Sequence, residues 1–283
     1  MSDIAIVTDR GCDLTPEQRA EHGITVVPLI VRFGDEVLHD DGSLTADAFW
    51  DRVASRRAFP QTSQPSAGMF EAAFGPLVEA GKQVLCPLIT GRLNGTLNAA
   101  FVAAQRFPGR VTVFDTRSLS LGQALQVLAA AAAVRRGLAV DAVVRMLEGV
   151  RERSHLVIML DTVEFLRRGG RAGKLMPFVD KILKALRVRP LLRLDDGELK
   201  LLGAARSVTK AAHRLVDEIA RLGPLEAVAV GHTRRPEEAA SLAAALEARL
   251  GRPPGSTVVA EAGPALSAHA GPGVLAVAAV TAA

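Results

Sequence analysis

Short apolar runs alternate with longer segments of helical spacing in the first half of the chain. The runs are rich in β-branched residues and predict strands, whereas the longer segments place apolar residues on one helical face, as Phe49, Trp50 and Val53 do. Predicted strands lie at residues 4–8, 24–29, 83–89, 111–114 and 156–160, and predicted helices begin near residues 15, 45, 66, 96, 119 and 141. This alternation favours an α/β domain with a parallel sheet flanked by helices.

A hairpin pattern interrupts this series. Apolar runs at residues 30–33 and 36–39 flank a Gly34-Asp35 turn. We therefore expect a small β insertion over about residues 28–60, and the strand at 156–160 is expected to close the parallel series after it.

The second half has a different rhythm. A hairpin surrounds the turn Asp195-Asp196-Gly197, and two helices and three short strands follow it. The pattern predicts an N-terminal α/β domain over residues 1–160 and a C-terminal α+β domain over residues 161–283, with a mainly antiparallel sheet in the latter.

Composition narrows the class of protein. Of the 283 residues, 49% are hydrophobic and 23% charged, which is typical of a globular chain. Aromatic residues make up 4%, too few for a protein that stacks nucleic-acid bases on aromatic side chains. The N-terminus lacks the features of a signal peptide, and the Ala-rich run at 118–134 is shorter than the ~20 residues of a membrane span. Since two cysteines make no disulfide framework, we expect a reduced, cytoplasmic protein without stable membrane insertion.

Positive charge is concentrated in one segment. Residues 166–193 carry nine basic side chains against the single acid Asp180, although the whole chain has a net charge of +4. Such a field attracts phosphate, an acidic protein face or an anionic membrane surface, and a merely solvated face is the alternative. A nucleic-acid partner is not expected, because the segment has no helix-turn-helix pattern and its glycines at 169, 170 and 173 interrupt helical structure.

Standard catalytic motifs are absent from the sequence, and the six histidines and two cysteines have no metal-ligand spacing, so no metal site is predicted.

Three polar clusters remain as candidate functional sites. Residues 62–66 precede a helix that Ser66 could also simply cap, and residues 90–96 join a strand to a helix, where backbone amides favour an anion. Residues 267–273 place His269 in a predicted Gly- and Pro-containing loop. Ligands of parallel sheets bind beyond the carboxyl ends of strands, which selects the loops after Val7, Ile89 and Phe114.

Seven segments of the chain carry a family pattern in order. Thr62-Ser63-Gln64-Pro65-Ser66 matches the motif T-S-Q-P-S, and His269-Ala270-Gly271-Pro272-Gly273 matches H-x-G-P-G. The complete set comprises residues 7–14, 62–66, 93–100, 114–118, 166–171, 189–191 and 269–273. Together they resemble the DegV family of bacterial lipid-binding proteins over essentially the whole chain.

The resemblance implies two domains that enclose one long-chain fatty acid, such as palmitate, with its carboxylate at the domain interface. The family's carboxylate contacts fall on Thr62 and Asn94, with Ser63, Gly95 and His269 beside them. Asn94 stands where the family has Ser, and an amide can still donate a hydrogen bond.

The resemblance also implies a non-catalytic role without a cofactor. The chain would be the acyl-binding subunit of a bacterial fatty-acid kinase, whose separate catalytic subunit uses ATP to phosphorylate the bound carboxylate. Arg171, Arg167 and Arg168 would then contact that partner or the acyl-phosphate product. The alternative is a stand-alone enzyme acting on a small acyl or phosphoryl substrate, with Ser63 as nucleophile and His269 as base.

Overall fold

The structure is a computed structural model, and it describes residues 4–55, 59–171, 173–175 and 188–283. The strands are β1 (Ile4–Asp9), β2 (Thr25–Val27), β3 (Leu29–Phe33), β4 (Glu36–Asp40), β5 (Gln61–Ser63), β6 (Gln83–Leu88), β7 (Val111–Asp115), β8 (Ser154–Met159), β9 (Arg189–Asp195), β10 (Glu198–Ala205), β11 (Leu225–His232), β12 (Val258–Glu261) and β13 (Leu275–Thr281). The helices are α1 (Pro16–His22), α2 (Ala46–Ser55), α3 (Ala67–Glu79), α4 (Thr96–Ala104), α5 (Ser120–Arg135), α6 (Val140–Glu152), α7 (Glu164–Arg168), α8 (Val208–Ala220), α9 (Pro236–Leu250) and α10 (Pro264–Ala270), with a 3₁₀ turn at Gly173–Leu175.

A four-stranded parallel sheet forms the first half, in the order β2-β1-β6-β7. On one face, Phe70 and Phe74 of α3 and Ala100 of α4 pack on the sheet. On the other face, α5 and α6 cover it, with Val127 and Leu147 in the same cluster as Ile6. The prediction of a parallel sheet flanked by helices is confirmed.

The β insertion is a three-stranded antiparallel sheet in the order β4-β3-β5. Its hairpin confirms the Gly34-Asp35 turn, and β5 adds a third strand just beyond the expected insertion. Phe33 and Phe49 pack in one cluster with Phe165 of α7 and Ala268 of α10. The insertion is therefore fastened to elements that come more than 100 residues later in the chain.

A six-stranded sheet forms the second half, in the order β10-β9-β8-β13-β11-β12. All neighbouring strands are antiparallel except β11 and β12, which confirms the mainly antiparallel prediction. The expectation that the strand at 156–160 closes the parallel series was wrong, because β8 pairs antiparallel with β9 and β13. Its apolar sequence suits a central strand of either sheet, so its partners could not be inferred from it. The division at residue 160 stays a prediction.

Helix α5 lies between the two large sheets and contacts β1 and β6 on one side and β11 and β13 on the other. Its alanines at 124, 130, 131 and 133 are buried, as expected for a helix that is apolar all round. Among the described residues, no helix is long and apolar enough to cross a membrane. The expectation of a buried helix here is confirmed.

Two short helices were not predicted. Helix α7 follows β8, and α10 occupies the region where we expected a loop around His269. The loop prediction for His269 was wrong: the residue lies in the last turn of α10, which ends before Gly271.

Candidate functional site

An apolar pocket lies where the parallel sheet, the β insertion and the second sheet meet. Its cavity volume is about 100 Å³. Two of the three loops at which the sequence predicts ligand binding reach this pocket, through Ile89 after β6 and Leu119 after β7. The further apolar wall residues are Leu29, Leu93, Ile158, Leu160, Leu166, Leu192, Leu199, Ala265, Leu266 and Ala270.

The polar residues on this wall are Thr62, Ser63, Asn94, Arg171 and His269. Four of the five residues predicted to contact a carboxylate are thus brought together, from β5, the loop before α4, and α10. Gly95, the fifth, is next to Asn94 but is not part of the wall; a Cβ there would lie 2.9 Å from the Gln64 side chain.

His269 makes a close polar contact in the pocket. Its Nε2 atom lies 2.5 Å from Thr62 Oγ1, whereas Nδ1 is buried and has no hydrogen-bond partner within the part of the chain that the structure describes. Burial, and in second place the positive charge of Arg171, lowers the pKa of His269 from 6.5 to about 4, so the ring is neutral at pH 7. Because an unpaired buried N–H is rarer than an unpaired acceptor, we assign the proton to Nε2, which donates to Thr62. The Thr62 hydroxyl can then donate to a ligand.

Three other groups add to this polar end. The Ser63 hydroxyl oxygen is shielded from water and has no hydrogen-bond partner among the described residues. Asn94 Oδ1 accepts from Thr96 N at 2.8 Å and Thr96 Oγ1 at 2.5 Å, which leaves its amide nitrogen as the donor available to a ligand. Partial burial lowers the pKa of the Arg171 guanidinium, so this cation is incompletely solvated. Several donors and one cation therefore face an otherwise apolar space, which suits a carboxylate on a hydrocarbon chain.

Of the three predicted partner-contacting arginines, Arg171 lies on the pocket wall, a position the sequence did not indicate. Arg167 and Arg168 are exposed on α7. Arg168 pairs with Glu164 at 2.8 Å and lies over the Phe59 ring. Lys181, Lys184 and Arg187 of the basic segment lie outside the described residues.

A second pocket adjoins the first. The two share Leu119, Ile158, Leu266 and Ala270 as wall residues, and the second extends to Gly231 of β11. We call the two pockets together the slot. The polar residues on the wall of the second pocket are Ser120, His232 and Thr233, and the Ser120 and Thr233 hydroxyls already donate to Asp13 and to the Gly271 carbonyl. The donors available to a ligand are therefore those of the first pocket, which we call the polar end of the slot.

A wider, more polar cleft of about 410 Å³ lies near the start of β8. Its arginines already have partners: Arg117 pairs with Asp196 at 2.7 Å, Arg193 approaches Asp195 at 3.6 Å, and Arg151 donates to the Asp115 carbonyl at 3.0 Å. None of the predicted site residues line this cleft, so the slot is the better candidate site.

The geometry does not assemble the alternative enzyme. His269 bonds to Thr62 rather than to the proposed nucleophile Ser63, and within the described ranges no carboxylate orients its Nδ1 atom. In the same ranges, no group of three or more His, Cys, Asp or Glu side chains could hold a metal ion.

Comparisons with known proteins identify the family of this chain. The family model described as uncharacterised proteins of the DegV family matches residues 3–282. The chain is similar to DegV domain-containing proteins of Deinococcus radiodurans, at 40% identity over 218 residues (77% of this chain, 76% of the relative), and of Streptomyces coelicolor, at 35% over 281 residues (97% of each). A solved structure described as fatty acid binding of a DegV family protein from Thermus thermophilus is 32% identical, covers 100% of each chain and has a TM-score of 0.88. The chain belongs to the DegV family.

A methyl group at position 169 should disrupt the contact between His269 and Thr62. A Cβ on Gly169 would overlap His269 Nδ1 and lie 3.0 Å from the Phe165 carbonyl oxygen, so the ring must move. We expect Gly169→Ala to lower the free energy of unfolding by about 1–3 kcal/mol, measured by urea denaturation. Gly149→Ala is the matched control, because a Cβ on that helical glycine meets nothing within 4 Å; an equal, small effect of both changes would contradict the prediction.

Stability should depend on pH through His269. Its pKa is lower in the folded chain, so its contribution is fully present above pH 6.5 and is lost as the pH falls from 6.5 towards 4. Relative to His269→Gln, the wild type should lose up to about 1.4 kcal/mol per pH unit in this window. Urea denaturation of both proteins at several pH values measures the difference, with His213→Gln as the control for losing an exposed imidazole. A difference that stays constant with pH would exclude a buried neutral ring.

Proposed function

We propose that this protein binds one long-chain fatty acid, such as palmitate, with the alkyl chain in the slot. The carboxylate is bound by Thr62 and Asn94, with Ser63, the Gly95 N–H and His269 beside them, between the predicted domains 1–160 and 161–283. One observation carries the proposal. The Ser63 hydroxyl and the Asn94 amide nitrogen are donors available to a ligand, and they line the same pocket as the Thr62–His269 contact, at the polar end of the slot. The fatty acid binding described for the Thermus thermophilus relative supports it.

The energetics favour such a ligand. Transfer of ~14 methylene groups from water to an apolar slot contributes up to ~11 kcal/mol at ~0.8 kcal/mol each, before the loss of translational and chain entropy. The carboxylate must keep hydrogen bonds in place of those it loses to water, since an unpaired buried charge is costly. The donors at the polar end meet this requirement, and Arg171 supplies a compensating positive charge.

The protein would act without catalysis of its own, as a cytoplasmic subunit that presents the acyl carboxylate to the ATP-using subunit of a fatty-acid kinase. Support comes from the position of the basic residues beside the polar end. Exposed Arg167 and Arg168 on α7 are close in sequence to Arg171, which lines the slot. An acidic face of a partner could contact α7 while Arg171 stays near the phosphorylated head group.

Removal of the two head-group donors should abolish tight binding. Thr62→Val removes a hydroxyl without changing the side-chain shape, and Asn94→Asp keeps the oxygen that accepts from Thr96 while replacing the amide donor with an acceptor. With hydrogen bonds to a charged group worth about 1.5–3 kcal/mol each, the double variant should bind palmitate at least about a hundredfold more weakly, as measured by calorimetric titration.

The control for this variant is Thr112→Val with Asn98→Asp, which makes the same kinds of change in β7 and on the exposed side of α4. It should bind palmitate like the wild type. Equal affinities of the site variant, the control and the wild type would show that the carboxylate is bound elsewhere.

Charge reversal on α7 should impair acyl-phosphate formation with the kinase subunit without impairing fatty-acid binding. Arg167→Glu changes an exposed side chain outside the slot, so palmitate affinity should remain, whereas acyl-phosphate formation with ATP and a bacterial fatty-acid kinase catalytic subunit should fall at least about tenfold. Arg249→Glu, an exposed arginine of α9, is the control and should support normal formation. Acyl-phosphate formation by this chain with ATP alone would contradict the non-catalytic role.

A further inference from the structure

The first turn of α10 is held by two carboxylates from the opposite end of the chain. Asp13 Oδ1 accepts a hydrogen bond from Gly263 N at 2.9 Å, and Asp40 Oδ2 accepts one from Ala265 N at 3.0 Å. Pro264 between them has no N–H. The backbone donors at this helix start are therefore bound by side chains of residues that precede it by more than 200 positions.

Both carboxylates are fixed on their other side. Asp13 Oδ2 accepts from Ser120 Oγ at 2.6 Å, and Asp40 Oδ1 pairs with Arg10 Nε at 3.1 Å. Asp13 is 4% exposed and Asp40 0% exposed, so water does not compete for these bonds. A Cβ on Gly263 would lie 3.2 Å from Asp40 Oδ2, which shows how closely the helix start approaches the acid.

These bonds close a ring through the polar end of the slot. Asp40 ends β4, which pairs with β3; β3 pairs with β5, where Thr62 lies opposite Val31. Thr62 contacts His269, in the last turn of α10, and the first turn of α10 returns to Asp40 through Ala265. Asp13, in the loop after β1, binds the start of the same helix and so connects it to the parallel sheet.

The position of α10 depends on such anchors. A helix of seven residues is about 10 Å long and far shorter than the ~12–15 residues at which isolated helices become marginally stable. Its last turn is held by the contact between His269 and Thr62, in addition to the packing of Ala265 and Ala268. Displacement of the first turn would therefore be transmitted directly to the imidazole.

We infer that Asp13 and Asp40 are positioning residues of the acyl site, which act through α10 to place His269 against Thr62. This inference rests on the proposed function and adds to it the residues that set the head-group geometry. Neither acid is on the slot wall, and the element that both bind is α10, whose Ala265 and His269 are wall residues.

The test uses palmitate labelled with ¹³C at the carboxyl carbon, bound to the full chain. The bound carboxyl chemical shift reports head-group hydrogen bonding, and calorimetric titration gives the affinity. Asp40→Ala and Asp13→Ala should each shift the resonance towards its position in His269→Ala and weaken binding at least about fivefold. Asp13→Asn should behave like the wild type, because its amide can accept from Gly263 N and donate to Ser120 Oγ.

Glu247→Ala is the matched control. Glu247 is also a buried carboxylate that binds two backbone donors, Gly255 N at 2.9 Å and Thr257 N at 2.8 Å, but it lies in α9 away from the slot wall. It should lower the melting temperature and leave the carboxyl resonance and the affinity unchanged. Asp40→Asn, whose amide oxygen can accept only one of the two former donors, replaces Asp40→Ala if the latter does not fold.

The double variant Asp40→Ala/His269→Ala completes the experiment. If Asp40 acts through His269, its replacement in the His269→Ala background should cost less than about twofold in affinity. Multiplicative effects, or an unchanged resonance in both acid variants, would overturn the inference while leaving the proposed function intact. Absence of palmitate binding by the wild type would instead overturn the proposed function, and this inference with it.

Discussion

Burial of α5 between the two large sheets is the constraint on which the rest of the structure depends. Its buried alanines let the helix fit between the two sheets. Its buried amides are bonded inside through their nitrogen atoms: Gln123 Nε2 donates to Thr8 Oγ1 at 3.0 Å and Gln126 Nε2 to the Thr116 carbonyl at 3.0 Å, whereas neither Oε1 atom has a partner among the described residues. The helix thereby fixes the separation of the sheets, and the slot occupies the space left at their common edge.

The polar end of the slot combines neutral donors with one cation. His269 is kept uncharged by burial and by Arg171, so it contributes a hydrogen bond and no charge at neutral pH. Under the proposed function, the charge opposite the carboxylate would come from Arg171, which is only partly removed from water. Because the hydrogen bond and the positive charge come from different residues, the free-energy cost of the ligand-free state is limited: Arg171 is partly solvated and is not a fully buried, unpaired cation.

Elements with local start and stop signals could be predicted from the sequence, and elements fixed by distant partners could not. Helix α9 begins at Pro236 and ends before Gly251, as these residues indicate. Helix α10 has the same signals, Pro264 and Gly271, but its seven residues are too few for a helical pattern, and its start is bound by Asp13, which is 250 positions away from Gly263. The motif order indicated Thr62, Ser63, Asn94 and His269 as site residues, but nothing local separates half-buried Arg171 from its exposed neighbour Arg167.

The slot wall is also part of the protein's main hydrophobic cluster. Ile158, Leu160, Leu166 and Leu192 line the slot and belong to the cluster that surrounds α5. An acyl chain in this space fills the interior of the protein as a core side chain does, so occupancy and folding are thermodynamically linked. Ligand at a hundred times its dissociation constant adds about 2.7 kcal/mol to the free energy of unfolding. Under the proposed function, the ligand-free chain would therefore be the less stable form and the one more readily cut by a protease.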